Sequence, residues 1–183
     1  TKFYGGKDAS VESRTNVNVR VKAEDLVDLI EKADKVYIMT HGESDADALG
    51  STIAVNKIAR ALGKESRIIL EESQLDKTVK KVYKQLQENH MYIMEYFIKP
   101  HEAYSKMTDK SLLIITDCQG ENLVSHPKAL KFAKKIAIID HHRRGNNAIT
   151  NFEYYYNKTS SSSTVELIVE MYQYLEQEIK SEP

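Results

Sequence analysis

Three short apolar runs in this sequence each end on side chains that can hold a cation or a phosphate. Residues 36–40 run into His41, Asp45 and Asp47; residues 112–116 run into Asp117; residues 136–139 run into Asp140, His141, His142, Arg143 and Arg144. The donors are imidazoles and carboxylates, with no thiolate needed. Oxygen-rich sets with some imidazole suit Mn²⁺ or Mg²⁺-like ions and argue against a structural zinc. One Asp bridging two ions, with the other donors divided between them, would build a centre about 3.5–4 Å across. Two cations together lower the pKa of a bridging water and neutralise the oxygens of a phosphate under in-line attack. His142, Arg143 and Arg144 could then hold the substrate phosphate.

Each piece also has a plain structural reading. Asp45 and Asp47 at the head of a helix serve as an N-cap and as acid complementing the helix dipole. Asp117 can cap a turn, and two adjacent histidines arise by chance. Three such coincidences at the ends of three separate apolar strands are much harder to explain than one.

These groups must be positioned by strands and helices. Residues 36–40, 67–70, 112–116 and 136–139 read as strands, and residues 149–156 as a further strand with aromatic alternation. Residues 22–33, 46–62, 127–134 and 164–179 read as helices, with Gly63 stopping the second. Residues 76–107 read as mostly helical, interrupted at Pro100. Residues 1–20 read as a connector, with a short strand where Val17, Val19 and Val21 alternate, and residues 21–183 as one domain. Continuously apolar strands alternating with amphipathic helices give an α/β fold, a mainly parallel sheet of about five strands with helices on both faces. Ligands sit beyond the carboxyl ends of such strands, where the His and Asp groups fall.

Composition bounds the rest. The 183 residues suffice for one domain and its core. Lys plus Arg number 26 and Asp plus Glu 27, so the near-zero net charge gives no global pull toward long nucleic acid or anionic lipid. The single Cys118 excludes an internal disulfide and a cysteine-built zinc site. No apolar run approaches the roughly 20 residues of a membrane span. The chain opens without Met or an apolar leader, and reads as a piece of something longer.

Other residues favour bland roles. His90, His101 and His126 read as surface or capping residues, and Cys118 as a small buried one. Lys131, Lys134 and Lys135 complement a helix end. Ser163 and Glu166 fit the capping box. Tyr154, Tyr155 and Tyr156 pack on a sheet edge or against another domain.

The spacing His-x-x-x-Asp-x-Asp-x-x-Gly (His41, Asp45, Asp47, Gly50), the lone Asp117 and the Asp140-His141-His142 triplet together resemble the DHH phosphoesterase superfamily. Arg143-Arg144-Gly145, together with Phe3 to Lys7 and Val11 to Thr15, resembles the GdpP-type branch of cyclic-di-AMP phosphodiesterases, in which the latter segment leaves a degenerate GGDEF domain. Ser162-Ser163-Thr164-x-Glu166-Leu167 is similar to the segment after DHH in many members. The resemblance implies His41 and Asp45 on one Mn²⁺, Asp47 and His141 on the other, and Asp117 between them. It implies Asp140 as support for the histidines and His142 on the scissile phosphate. It implies two Mn²⁺, with Mg²⁺ or Co²⁺ as substitutes, and hydrolysis of cyclic-di-AMP to linear pApA by a water that the metals activate. The alternatives are an oligoribonuclease or pApA phosphatase, a single-strand exonuclease, or a nucleotide sensor without activity.

The implied partners are a cyclic dinucleotide or short oligonucleotide, an upstream domain, a C-terminal DHHA1 lobe and a second copy of the chain. The implied setting is the cytoplasmic domain of a membrane-anchored parent. Two departures stand out. The family supplies one more Asp ligand beyond the DHH triplet, and no Asp follows Asp140 here. The expectation is therefore a catalytic lobe that is weak or inactive by itself. Where the branch usually has Thr-His-Arg-Pro after the bridging Asp, this chain has Cys118-Gln119-Gly120-Glu121, which predicts weaker phosphate recognition by that loop.

Overall fold

A computed structural model of the chain describes residues 9–181, with side chains over 18–175. The strands are β1 (Lys35–Met39), β2 (Glu65–Ile69), β3 (Phe97–Ile98), β4 (Leu112–Thr116), β5 (Lys135–Asp140) and β6 (Tyr154–Asn157). They form one sheet in the order β3-β2-β1-β4-β5-β6, and every neighbouring pair is parallel. All of β4 is buried, and so is all of β5 after its first residue. A strand covered on both faces has no reason to alternate, which is why these segments read as unbroken apolar runs.

The helices are α1 (Ala9–Lys32), α2 (Ala46–Ala61), α3 (Lys77–Asn89), α4 (Pro100–Lys106), α5 (Ala129–Phe132) and α6 (Thr164–Ser181). On one face Leu26 and Ile30 of α1, Val55 and Ile58 of α2, and Leu167 and Met171 of α6 pack with Val36, Ile38, Ile114 and Ile139. On the other, Ala103 of α4, Ala129 of α5 and the loop residues Val124 and Ile149 pack with Tyr37, Met39, Leu113, Ile115 and Ile138. Strand order reverses direction between β1 and β4, so the connections leaving their carboxyl ends turn to opposite faces of the sheet and leave a crevice, the place where such sheets bind ligands.

The expected architecture holds, with six strands in place of about five. The differences lie at the edges. The alternating valines before residue 22 belong to α1, not to a strand: Val19 is 1% exposed and Val21 46%. Val19 continues the stripe of Ala23, Leu26 and Ile30 one turn earlier, and a 3.6-residue period puts Val21 on the opposite side. The long helical reading of 76–107 breaks at His90 into a 3₁₀ segment (Met91–Tyr96), then β3, then α4 with Pro100 in its first turn. A strand of two residues is too short to show any period. The strand expected over 149–156 forms only at its end, because Ile149 turns inward and its N–H donates to Gln119 O at 2.7 Å.

Buried polar bonds lock α2 onto the sheet. Ser51 Oγ donates to Thr116 Oγ1 at 2.8 Å, and Asn56 Nδ2 to Ser66 Oγ at 2.9 Å. Gly50 lets α2 and α6 approach: a Cβ there would lie 3.0 Å from Val165 Cγ2. Gly50→Val should therefore destabilise the fold by about 1–3 kcal/mol through overpacking. Val165→Ala should restore part of the loss, as read by urea denaturation.

Candidate metal centre

The loop leaving β1 carries His41 and runs into Asp45, the N-cap of α2, whose carboxylate accepts from Ala48 N at 3.0 Å. The loop is pinned at both sides. Ser44 N donates to Gln74 O at 2.7 Å, and Gly42 N donates to Leu123 O at 3.0 Å. At the end of β4 the backbone turns sharply at Asp117, whose φ is 58°. A residue held there costs about 1–3 kcal/mol, and Asp tolerates this region better than most. The turn swings the Asp117 carboxylate across the crevice.

Asp117 is the hub. It is 3% exposed. Its Oδ2 lies 3.5 Å from His41 Nε2, and its Oδ1 3.5 Å from His141 Nε2. Thr164 Oγ1, at the first residue of α6, donates to Oδ1 at 2.8 Å. Asp47 Oδ2 lies 3.7 Å from the same His141 Nε2, and the Asp47 carboxylate accepts from Thr164 N and Val165 N at 2.8 and 2.9 Å. Two sets of donor atoms result, His41 with Asp45 and Asp117, and Asp117 with His141 and His142. They share Asp117.

The His–Asp separations of 3.5–3.7 Å exceed a direct hydrogen bond. They approach the roughly 3.0–3.4 Å between neighbouring ligands on one ion bonded at about 2.1 Å. The donor set therefore fits divalent cations. In the second set, His142 Nδ1 is already committed to Asp140 Oδ1 at 2.8 Å. Asp47, His141 and Asp117 are then the donors left for that side.

Asp140, fully buried at the end of β5, organises the histidines. Its Oδ1 accepts from His141 N, His142 N and His142 Nδ1, and its Oδ2 accepts from Gln119 Nε2 at 2.8 Å. A cavity of about 540 Å³ opens over these groups, lined by His41, Asp45, Asp47, Asp117, His142 and Arg143 among others. Arg144 turns aside, its guanidinium 5.5 Å from the centre of the Tyr155 ring. The structure thus brings together every residue expected from the sequence except Arg144, which lies against Tyr155. Thr164 and Gln119 stand in the sequence only as parts of longer segments, with no contact expected for either: a hydroxyl at a helix start and an amide in a loop do not announce the carboxylates they meet.

Charge compensation sets the proton affinities of these groups. His41 is raised to about 9, chiefly because its ring faces Asp117. Burial works against ionisation of Asp117, but His41, Thr164 and His142 outweigh it and hold the carboxyl below its ordinary range. Asp47 is pushed up, first by burial and then by the Asp117 charge, despite the two α6 amides.

The bland readings fare unevenly. Glu166 N donates to Ser163 Oγ at 3.1 Å, as a capping box requires, while the Glu166 carboxylate reaches back to Ser162 N at 2.9 Å. Cys118 is buried, and burial pushes its thiol up to about 11, far from thiolate chemistry. His126, expected at the surface, is instead 6% exposed, and burial lowers its pKa.

The sequence profile of the DHH family, N-terminal domain, matches residues 35–183. The chain belongs to the DHH family. A membrane protein–large ribosomal subunit bL9 fusion protein of onion yellows phytoplasma is 37% identical over 180 residues, covering 97% of this chain and 21% of that protein. The cyclic-di-AMP phosphodiesterase PdeA of Listeria monocytogenes is 32% identical over 173 residues, covering 94% of this chain and 26% of that protein. The chain thus spans only about a fifth to a quarter of these relatives. In fold it is similar to an exopolyphosphatase-related protein from Bacteroides fragilis, with a TM-score of 0.65 at 16% identity over 82% of this chain and 42% of that one. The domain is thus a phosphoesterase fold of the DHH type. Among the described residues no helix is long and apolar enough to cross a membrane.

A metal ligand must shed its proton. With His41 raised to about 9, Mn²⁺ binding at pH 7.5 should release close to one proton from that ring. Calorimetry in buffers of different ionisation enthalpy should show it, and His41→Ala should abolish it. Without metal, the sign for stability is opposite to that of a carboxylate. The His41–Asp117 pair stabilises fully below about pH 6.5 and is lost as pH rises through about 9.

Proposed function

We propose that this chain is the catalytic lobe of a manganese-dependent phosphodiesterase that opens cyclic-di-AMP to linear pApA. The observation that carries the reading is Asp117, shared between two His–Asp donor sets at the floor of one cavity. The cyclic-di-AMP phosphodiesterase among its relatives supports the substrate class.

In this reading His41, Asp45 and Asp117 hold one divalent ion, and Asp47, His141 and Asp117 the other. Mn²⁺ is the expected ion, with Mg²⁺ or Co²⁺ as substitutes. Two ions bound there would supply a nucleophilic hydroxide at neutral pH and neutralise phosphate oxygens. The protein's own groups do the rest. Asp140 Oδ1 accepts a hydrogen bond from His142 Nδ1 and so fixes the ring's orientation. The other ring nitrogen is then free to meet the scissile phosphate, since His142 lines the cavity. Arg143 lines the same cavity and adds a guanidinium for a phosphate oxygen. Arg144, over the Tyr155 ring, adds a second cation to the same loop. The cavity's volume, about 540 Å³, suits a small nucleotide rather than a long strand.

The wider setting belongs to the same reading. The natural protein carries an upstream domain and a DHHA1 lobe, is anchored to a membrane with this lobe in the cytoplasm, and works as a single copy or a homodimer. Residues 1–183 alone hold metal incompletely and turn over weakly, because the family's further Asp ligand has no counterpart after Asp140.

The test uses the full-length protein with Mn²⁺ and equal amounts of cyclic-di-AMP and pApA, with products separated by chromatography. Rapid appearance of pApA is the expected outcome. Cleavage of pApA alone would move the protein to the oligoribonuclease side of the superfamily, and binding without cleavage would make it a sensor. Asp117→Ala should lower turnover by more than about 100-fold and weaken Mn²⁺ binding together. Activity unchanged by that substitution would remove Asp117 from the bridge.

A further inference from the structure

The loop after β4 holds a second feature. Gln119 is 5% exposed and every polar atom of its side chain amide is used. Its Nε2 donates to Asp140 Oδ2 at 2.8 Å and to His142 O at 2.9 Å, and its Oε1 accepts from Tyr155 OH at 2.9 Å. Tyr155 sits on β6, stacked on Phe152 with centroids 5.2 Å apart and beside the Arg144 guanidinium. Asn157, also on β6, donates to the same His142 O at 2.8 Å.

The geometry points to Gln119 as a positioning residue that locks the Asp140–His142 pair, with Tyr155 acting through it. Three constraints lead there. A side chain amide carries its donors and its acceptor on separate atoms, and here both ends are used. Asp140 is fully buried, and its Oδ1 is occupied by three donors from residues 141 and 142. Only Gln119 engages Oδ2 among the hydrogen bonds of the described residues. Without it the carboxylate could rotate, and the His142 ring and His141 backbone would move with it. Asp140 Oδ2 and His142 O can only accept, so the amide nitrogen faces them, and the Tyr155 hydroxyl donates to the remaining oxygen and holds the amide plane in place. Gln119 lines the cavity, but its amide nitrogen is committed to the group that aims His142.

The turnover arm of the test rests on the phosphodiesterase reading; the metal arm does not. In the full-length protein, Gln119→Met keeps the volume and removes all three side chain hydrogen bonds. It should lower kcat for cyclic-di-AMP about 10–100-fold with KM within about twofold, and weaken Mn²⁺ about 10-fold by calorimetry. Tyr155→Phe should lower kcat about 3–10-fold. The double variant should match Gln119→Met alone within about twofold, because Tyr155→Phe keeps the ring under Arg144 and removes only the hydroxyl, which reaches the site through Gln119. Multiplying losses, an unchanged kcat in Gln119→Met, or a risen KM at constant kcat would overturn the proposal, the last by placing Gln119 on substrate. Should Gln119→Met fail to fold, Tyr155→Phe decides alone: its kcat loss at constant KM supports the lock, and wild-type kcat overturns it. If the wild-type protein leaves cyclic-di-AMP intact, the functional reading fails. The same non-additive pattern in Mn²⁺ affinity then supports the lock, and unchanged affinity overturns it.

Discussion

A carboxylate buried to 3% exposure at the end of a central strand must be compensated, and the site is the form that compensation takes. Asp117 stands where the connections leaving β1 and β4 part, and its left-handed backbone throws its side chain across the crevice. Three separate segments then reach toward it: His41 after β1, His141 after β5 and Thr164 at the start of α6. Each comes from a different part of the chain. Each can reach the same two oxygens only because parallel strands deliver their carboxyl ends to one edge.

Two helix starts share the remaining negative charge. Asp45 caps α2, and the first amides of α6 close on Asp47. The positive ends of helices and their free N–H groups favour anions, so the acids are held in place by the fold itself. The compensation is incomplete at Asp47, where burial and the neighbouring Asp117 outweigh the two amides. That imbalance leaves a carboxylate better served by a cation than by anything the chain provides. Gly50, by letting α6 come close to α2, is what allows one helix start to serve an acid on the other.

What could be read from the sequence was set by period and by residue type. β1, β4 and β5 are unbroken apolar runs closed by Asp or His, and both signals survive in one dimension. His41, Asp45, Asp47, Asp117 and the 140–142 triplet were legible for that reason. β3 was not, because Phe97 and Ile98 form a strand only by pairing with Ile68 and Ile69. The first turns of α1 were hidden by valines that mimic a strand, although Val19, Ala23, Leu26 and Ile30 already marked the helical stripe. Thr164 and Gln119 depend on contacts across 47 and 21 residues. No local pattern encodes such contacts.

Gln119 shows what residue type in a loop leaves open. A neutral amide says nothing of its partners, which lie on β5, β6 and the loop after β5. The Asp140 carboxylate and the His142 carbonyl can only accept and so take its nitrogen, while the Tyr155 hydroxyl donates to its oxygen. The cavity itself is rich in acid: Asp45, Asp47, Asp117 and Asp140 face it, against His41 and Arg143 as cations. An anionic phosphate meets net repulsion there until further positive charge is present. In the proposed reading, cation binding and phosphate binding would therefore be coupled by the same carboxylates, and a change that loosens the shared Asp117 would weaken both.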